Sequence, residues 1–268
     1  MARTIVVKSI TRSICGLWLA VGVMMLAPLA QAQISTTTPV GAANPYPDFF
    51  QIATPGRFSL TGFGGGFVSD KYGTTQEGVQ AEQSLTRYVG IVGRITGYQL
   101  YMGEGFANPL SPNPGSSHGS SRYNFGRFQG GIDFAVTPTT HVYVLGGDDA
   151  GDSHNANIEG DISSWWLVHS RHPLNFLVSS VYSWQNNISA SSIDLRVVLL
   201  TTESYLLMAG GGGVIYGGGF VSGVAGQGGP DLGLYYRPWQ VGLDAQAGYG
   251  TPNGYGQLTV YKQFSWME

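Results

Sequence analysis

Few residues in this 268-residue chain have the type and spacing to do chemistry. The densest polar cluster is Asp148-Asp149-Ala150-Gly151-Asp152-Ser153-His154-Asn155. Hard cations take several carboxylate and carbonyl oxygens from a flexible loop, so Asp148, Asp149 and Asp152 are the weak candidates for a calcium-type site. Aspartates beside a histidine also suit acid–base hydrolysis of peptides. The spacing matches no known calcium loop, and the expectation is a solvated external loop without metal. His169-Ser170-Arg171-His172 puts a histidine beside a serine, the residue types of a base and its nucleophile. Neighbouring residues on a strand point to opposite faces, so these two do not bond each other easily. Gly210 to Gly213 and Gly217 to Gly219 lack the GxxxxGK[ST] pattern and the following helix of a phosphate cradle. Glycines that face a crowded interior, or let a strand bend, explain them better. His118 lies among Ser, Gly and Pro and reads as solvated. No catalytic residue and no cofactor are assigned.

The remaining polar residues with a regular spacing are Arg87, Gln99, Arg127, Gln129, Asp133, Asp194, Arg196, Gln240, Asp244 and Gln246. Each faces away from an apolar partner row, and only a sheet can gather such residues on one surface. In 239–249, Trp239, Val241, Leu243, Ala245, Ala247 and Tyr249 alternate with Gln240, Gly242, Asp244, Gln246 and Gly248. In 192–199, Ile193, Leu195, Val197 and Leu199 oppose Ser192, Asp194 and Arg196. In 125–136, Phe128, Ile132, Phe134 and Val136 oppose Arg127, Gln129 and Asp133. Residues 174–185 and 231–237 follow the same rule, which is the signature of β-strands.

Composition narrows the class. Charged residues are 11% of the chain, and 41 residues are glycine; soluble domains carry about 25% charge. Residues 1–32 read as a signal peptide. Arg3, Lys8 and Arg12 form a basic start, Ile14 to Leu29 an apolar core and Ala30-Gln31-Ala32 a cleavage site. The mature chain would begin at Gln33 and lose Cys15, the only cysteine, and with it any disulfide or thiolate metal site. Nothing in its acidic excess suggests nucleic acid, and no nucleic-acid partner is expected. Residues 33–56 read as a periplasmic lead-in. No later segment reaches the roughly 20 apolar residues of a spanning helix. Two classes remain: a membrane-spanning barrel and a secreted soluble all-β domain.

Turn signals favour the barrel. Short connections fall at Gly93-Arg94, Thr137–Thr140, Arg171–Pro173, Thr202–Ser204 and Arg237-Pro238. Longer ones fall at Asp70–Gln83, Gly103–Ser121, Asp148–Gly160, Asn186–Ser191, Gly217–Gly229 and Gly250–Gly254. The two kinds alternate along the chain, as periplasmic turns and external loops do. This division splits Ser84–Met102 into two strands. Tyr98, Tyr182, Trp184, Trp239 and Tyr249 sit near the ends of apolar faces, where interfacial girdles belong. The predicted fold is all-β: a single antiparallel up-and-down transmembrane β-barrel over 57–268, with twelve strands, ten being the alternative.

The last strand carries a resemblance. Leu258, Val260, Phe264 and Trp266 alternate with Gln257, Thr259, Tyr261, Gln263 and Ser265 close to the chain end. This resembles the C-terminal strand of bacterial outer-membrane β-barrel proteins, with two departures: Met267 and Glu268 follow the aromatic residue, and Lys262 sits on the apolar face. The resemblance implies a place among outer-membrane lipid and an assembly signal at Leu258, Val260, Phe264 and Trp266, read by the barrel-assembly machinery. Twelve-stranded members include sugar-acid and nucleoside channels, a phospholipase and autotransporter translocators, so fold does not select a function. The expected function is a channel or transporter for a small polar solute, its lumen lined by the ten polar residues named above. A non-conducting structural or surface-exposed barrel is the alternative, and a lipid or peptide hydrolase a third reading.

Overall fold

A computed structural model describes residues 57–69, 72–102, 121–137, 139–152, 154–184, 188–218, 225–250 and 254–267. Residues 1–56, expected as a signal peptide and a lead-in, lie outside these residues. The described chain is a closed barrel of twelve antiparallel strands. They are β1 (Arg57–Ser69), β2 (Tyr72–Ser84), β3 (Val89–Met102), β4 (Ser121–Thr137), β5 (Thr140–Gly151) and β6 (Asn157–Trp166), then β7 (Leu174–Ser183), β8 (Ile188–Thr201), β9 (Tyr205–Gly218), β10 (Ala225–Tyr236), β11 (Val241–Gly250) and β12 (Tyr255–Met267). Each strand pairs with its chain neighbours, and β1 closes on β12 from Arg57↔Met267 to Ser69↔Tyr255. No described helix is long and apolar enough to cross a membrane. A closed barrel pairs every backbone edge, which is what a strand needs to cross a bilayer.

The alternation read in the sequence sets the two faces. Ile91, Ile95, Phe128, Ile132, Phe134, Ile193, Leu195, Leu232, Leu234, Leu258 and Val260 all point outward and are exposed. Their partners in the alternation point inward. At one end lie the chain termini of the barrel and the connections after β2, β4, β6, β8 and β10; this is the turn end. The other connections, including residues 103–120, mark the loop end.

One pair of strands departs from the expectation. No break occurs at Gly93-Arg94; both residues lie inside β3, paired on each side. The segment expected as a long loop, Asp70–Gln83, is mostly β2. The true turn is Leu85–Tyr88, where Thr86 Oγ1 accepts the backbone N–H groups of Tyr88 and Val89 at 3.1 and 3.0 Å. Such a side-chain bond closes a turn without glycine or proline. β2 hides from pattern reading because its outward residues include Thr75, Glu77 and Gln83 rather than an apolar row. Its strand state comes from pairing with β1 and β3. The count remains twelve because β2 replaces the strand lost from 84–102.

Apolar side chains pack inside the barrel at two places. At the turn end, Phe63, Trp165, Val198, Leu206, Met208, Tyr235 and Tyr261 form one buried apolar cluster. Val92, Tyr143 and Leu145 form a second. A barrel of about eight strands is just narrow enough for side chains to fill; in this wider barrel long and aromatic side chains reach inward to form these clusters. β9 is thinned by glycine where its neighbour needs room. A methyl group at Gly212 would overlap the Asp194 carboxylate on β8. Gly212→Ala is therefore expected to displace Asp194 and to destabilise the barrel by about 1–3 kcal/mol, as overpacking does. Urea titration of the refolded protein measures this.

Candidate functional site in the barrel interior

Three polar groups line the inner wall. The largest spans β2 to β6 and centres on Arg94, which is 3% exposed. Its Nε donates to Gln80 Oε1 at 3.0 Å, its Nη1 to Glu159 Oε1 at 2.7 Å and its Nη2 to Asp161 Oδ2 at 3.3 Å. Gln80 is on the adjacent strand, but Glu159 and Asp161 are on β6, three strands away around the wall. The guanidinium thus reaches across part of the lumen. Gln129 Nε2 on β4 extends the group to Glu159 Oε2 at 2.8 Å and Asn157 Oδ1 at 3.0 Å. Asn157 Nδ2 donates to Asp149 Oδ1 at 3.2 Å. Asp149 is held by Arg127 in a two-bond fork of 2.7 and 3.0 Å, and Arg127 lies 5.5 Å over the Tyr98 ring.

The second group spans β8 to β12. Arg196 donates from Nε to Asp231 Oδ2 at 2.6 Å and from Nη1 to Asp244 Oδ2 at 3.1 Å. Asp244 also accepts the Tyr261 hydroxyl, and Gln246 Nε2 donates to Asp194 Oδ1 at 3.2 Å. In both groups an arginine holds two carboxylates: Arg94 two from the single strand β6, Arg196 one each from β10 and β11. The planar guanidinium fork suits such pairing better than lysine would. Pairing and hydrogen bonding are what allow charges to be buried at all.

The third group lies near the turn end. His141 Nδ1 is 2.8 and 2.7 Å from the two oxygens of Asp133. The Tyr143 ring stacks on the imidazole, and its hydroxyl donates to Glu82 at 3.4 Å. An aspartate–histidine pair is two parts of a hydrolytic triad. The third part is missing among the described residues: His141 Nε2 is buried with no hydrogen-bond partner. Among those residues, no group of three or more His, Cys, Asp or Glu is placed to hold a metal ion.

Of the ten expected lumen residues, Arg127, Gln129, Asp133, Asp194, Arg196, Asp244 and Gln246 lie on the inward face and make the bonds just described. Three do not. Arg87 is in the exposed β2–β3 turn, its guanidinium 4.7 Å over the Tyr88 ring. Gln99 is on the outer face of β3, because one continuous strand puts it in phase with Ile91 and Ile95; it accepts a hydrogen bond from Arg122 at 2.7 Å. Gln240 follows a short 3-10 turn, Arg237–Trp239, and its left-handed backbone (φ 51°) starts β11 rather than joining its inward face.

The acidic cluster also divides. Asp148 and Asp149 are consecutive on β5, so Asp148 points outward and Asp149 inward. Asp152 accepts the Asn124 N–H at 2.7 Å. The three carboxylates do not converge, in correction of the candidate metal site. His169 and Ser170 lie in the exposed β6–β7 turn, where Ser170 Oγ accepts the His172 N–H. On β12, Leu258, Val260 and Phe264 point outward and are exposed. The Lys262 ammonium, on that same face, reaches the carbonyl of Trp239 and lies 5.0 Å from the Phe264 ring. The side chain of Trp266 is outside the described residues.

Arg94, Glu159, Asp161, Asp231, His141 and Glu82 were missed. Arg94 had been placed in a turn that does not exist. Val92 and Thr96 share its parity, and keeping 89–102 as one strand reveals it. Asp231 stood on the polar side of an alternating run and was legible there. Glu82 went with the unread strand.

No family model matches this sequence, and no curated protein matches it. Solved structures do match by shape. An outer membrane channel from Pseudomonas putida F1 superposes with a TM-score of 0.52 at 8% identity, over 82% of this chain and 99% of that one. LpxR from Salmonella typhimurium gives 0.48 at 8% identity, over 78% and 99%. The β domain of the Bordetella autotransporter BrkA gives 0.46 at 11% identity, over 79% and 99%. The twelve-strand closure, the outward apolar belt and the first of these likenesses agree with the terminal strand: this chain has the fold of the bacterial outer-membrane β-barrels.

Proposed function

We propose that the chain is an outer-membrane barrel forming a narrow passage for small polar solutes, closed at rest by its own interior ion pairs. The observation that carries this reading is the reach of Arg94 across to Glu159 and Asp161. Buried ion pairs seldom stabilise a fold more than apolar residues of the same volume. A barrel that needed only filling would be served as well by leucine and phenylalanine. A charged solute can instead compete for these groups: its carboxylate for Arg94 or Arg196, its cation for the aspartates. The bond exchange would open the lumen locally and select by charge. No cofactor is needed, and the chain is read as a non-enzyme.

Planar-bilayer recording tests this. The wild type is expected to show small, brief openings. The double variant Arg94→Met/Arg196→Met is expected to open more often, with altered ion selectivity. A second reading, a non-conducting structural barrel, is favoured by the buried apolar cluster around Trp165 and Met208. Silence from both proteins, with folding confirmed by heat-modifiable gel migration, would decide for that reading.

A further inference from the structure

We infer that the outer wall of β2–β4, near the loop end, binds the headgroup region of a phosphorylated glycolipid of the outer leaflet. Most of the barrel presents an apolar belt, but this sector does not. Its outward residues run in rows set by the strand register. Arg122 pairs with Tyr101, Gln99 with Thr75, and Glu77 sits between Gly64 and Gly97. From the Arg122 row down to the Glu77 row is four residues, about 13 Å along the strand.

The two ends of this ladder carry opposite needs. Arg122 is exposed, and its Nη2 is fixed on Gln99 Oε1 at 2.7 Å while its guanidinium lies 5.1 Å over the Tyr101 ring. Tyr101 donates to the same Gln99 oxygen at 2.8 Å. Among the described residues Gln99 alone accepts from the Arg122 guanidinium, which is exposed and anchored at one edge and so offers donors to an outer ligand. Such a fork is suited to phosphate. Glu77 is the other end. Its carboxylate points outward from the middle of β2 and has neither an ion pair nor a hydrogen bond among the described residues. A carboxylate facing hydrocarbon is costly unless something donates to it. Its side chain lies against Gly97, where an added Cβ would sit 3.8 Å from Glu77 Cγ, so the wall beside it is flat.

A plain phospholipid meets only the upper requirement, because below its phosphate it has ester oxygens and no donors. A phosphorylated glycolipid meets both: phosphate at Arg122, and sugar hydroxyl or amide N–H groups reaching down to Glu77. The inference rests on the outer-membrane placement. It does not depend on whether the lumen conducts.

Native mass spectrometry of the refolded full barrel in detergent, mixed with equal amounts of rough lipopolysaccharide and phosphatidylglycerol, provides the test. The wild type is expected to retain the lipopolysaccharide. Arg122→Ala and Glu77→Leu should each weaken retention about tenfold or more, the value of a hydrogen bond to a charged group. Equal retention by all three proteins, or phosphatidylglycerol held in its place, would overturn the site. So would cross-linking of two barrels through position 77, which would make a second copy the occupant. Heat-modifiable migration confirms that each variant folds. Flotation with lipid vesicles separates the two claims: a barrel that fails to float refutes the membrane placement, whereas one that floats but retains no glycolipid refutes only this site.

Discussion

Arg94→Ala is expected to destabilise the barrel by about 3–5 kcal/mol, because it strands Glu159 and Asp161 in the interior without their counter-charge. Asp161 is fully buried and Glu159 nearly so. The loss spreads further, since Glu159 is also an acceptor for Gln129, which in turn bonds Asn157. Removing the whole ion-pair centre behaves differently. Arg94→Met/Glu159→Gln/Asp161→Asn leaves no uncompensated charge and should recover most of the stability. Equilibrium urea unfolding in lipid vesicles, followed by tryptophan fluorescence and gel migration, gives both values. A single variant as stable as the wild type would mean that the guanidinium does not hold the two carboxylates.

Trp165→Ala is expected to cost a similar amount, about 3–5 kcal/mol, by a different route. Trp165 sits at the turn end of β6, 2% exposed, and packs with residues from β1, β8, β9, β10 and β12. Truncation removes a large share of that contact and leaves a cavity lined by Val198, Leu206 and Met208, which have little freedom to collapse on curved, hydrogen-bonded strands. If the proposed closure holds, truncation also thins the apolar layer across the lumen at that end. Loss of stability together with a rise in ion conductance is the expected joint result; loss of stability alone would show that closure lies with the ion pairs. Trp165→Phe should lose much less of both.

Much of the fold was legible because the outside and the inside of a barrel impose opposite demands on alternate residues. β11 shows why: Val241, Leu243 and Ala245 face outward, while Gly242, Asp244 and Gln246 face inward, and no other arrangement satisfies both rows. β2 was illegible for the same reason in reverse. Its outward Glu77 and Gln83 give it polar residues on both faces, and only the register with β1 and β3 makes it a strand. That one misreading carried two errors into the site, Arg94 lost to a turn and Gln99 turned inside out. A shift of one residue moves a whole strand's side chains to the other face.

The site itself was legible by face but not by partner. Arg127, Asp133 and Asp194 could be assigned inward from their own strands. That Arg94 meets Glu159, or Arg196 meets Asp231 and Asp244, depends on the curvature that brings strands two or three apart within side-chain reach. No local pattern encodes it. His141 is a different case: its strand is apolar on both sides, and the register of the β4–β5 hairpin, Ala135↔His141 and Asp133↔Tyr143, sets it diagonally against Asp133.

Closure of the lumen is the claim on which the functional reading stands, and cysteine labelling tests it most directly. Cys15 is the single cysteine of the sequence and lies outside the described barrel, so an introduced thiol there has no native competitor. Ser192→Cys places a thiol of nearly the same shape on the inward face of β8, at a buried hydroxyl with no partner among the described residues. Glu203→Cys in the exposed β8–β9 turn is the control. In vesicles, a small charged thiol reagent is expected to modify position 203 at once and position 192 far more slowly, with Arg94→Met/Arg196→Met accelerating the latter. Equal, immediate labelling of both positions in the otherwise unmodified barrel would contradict a lumen closed at rest.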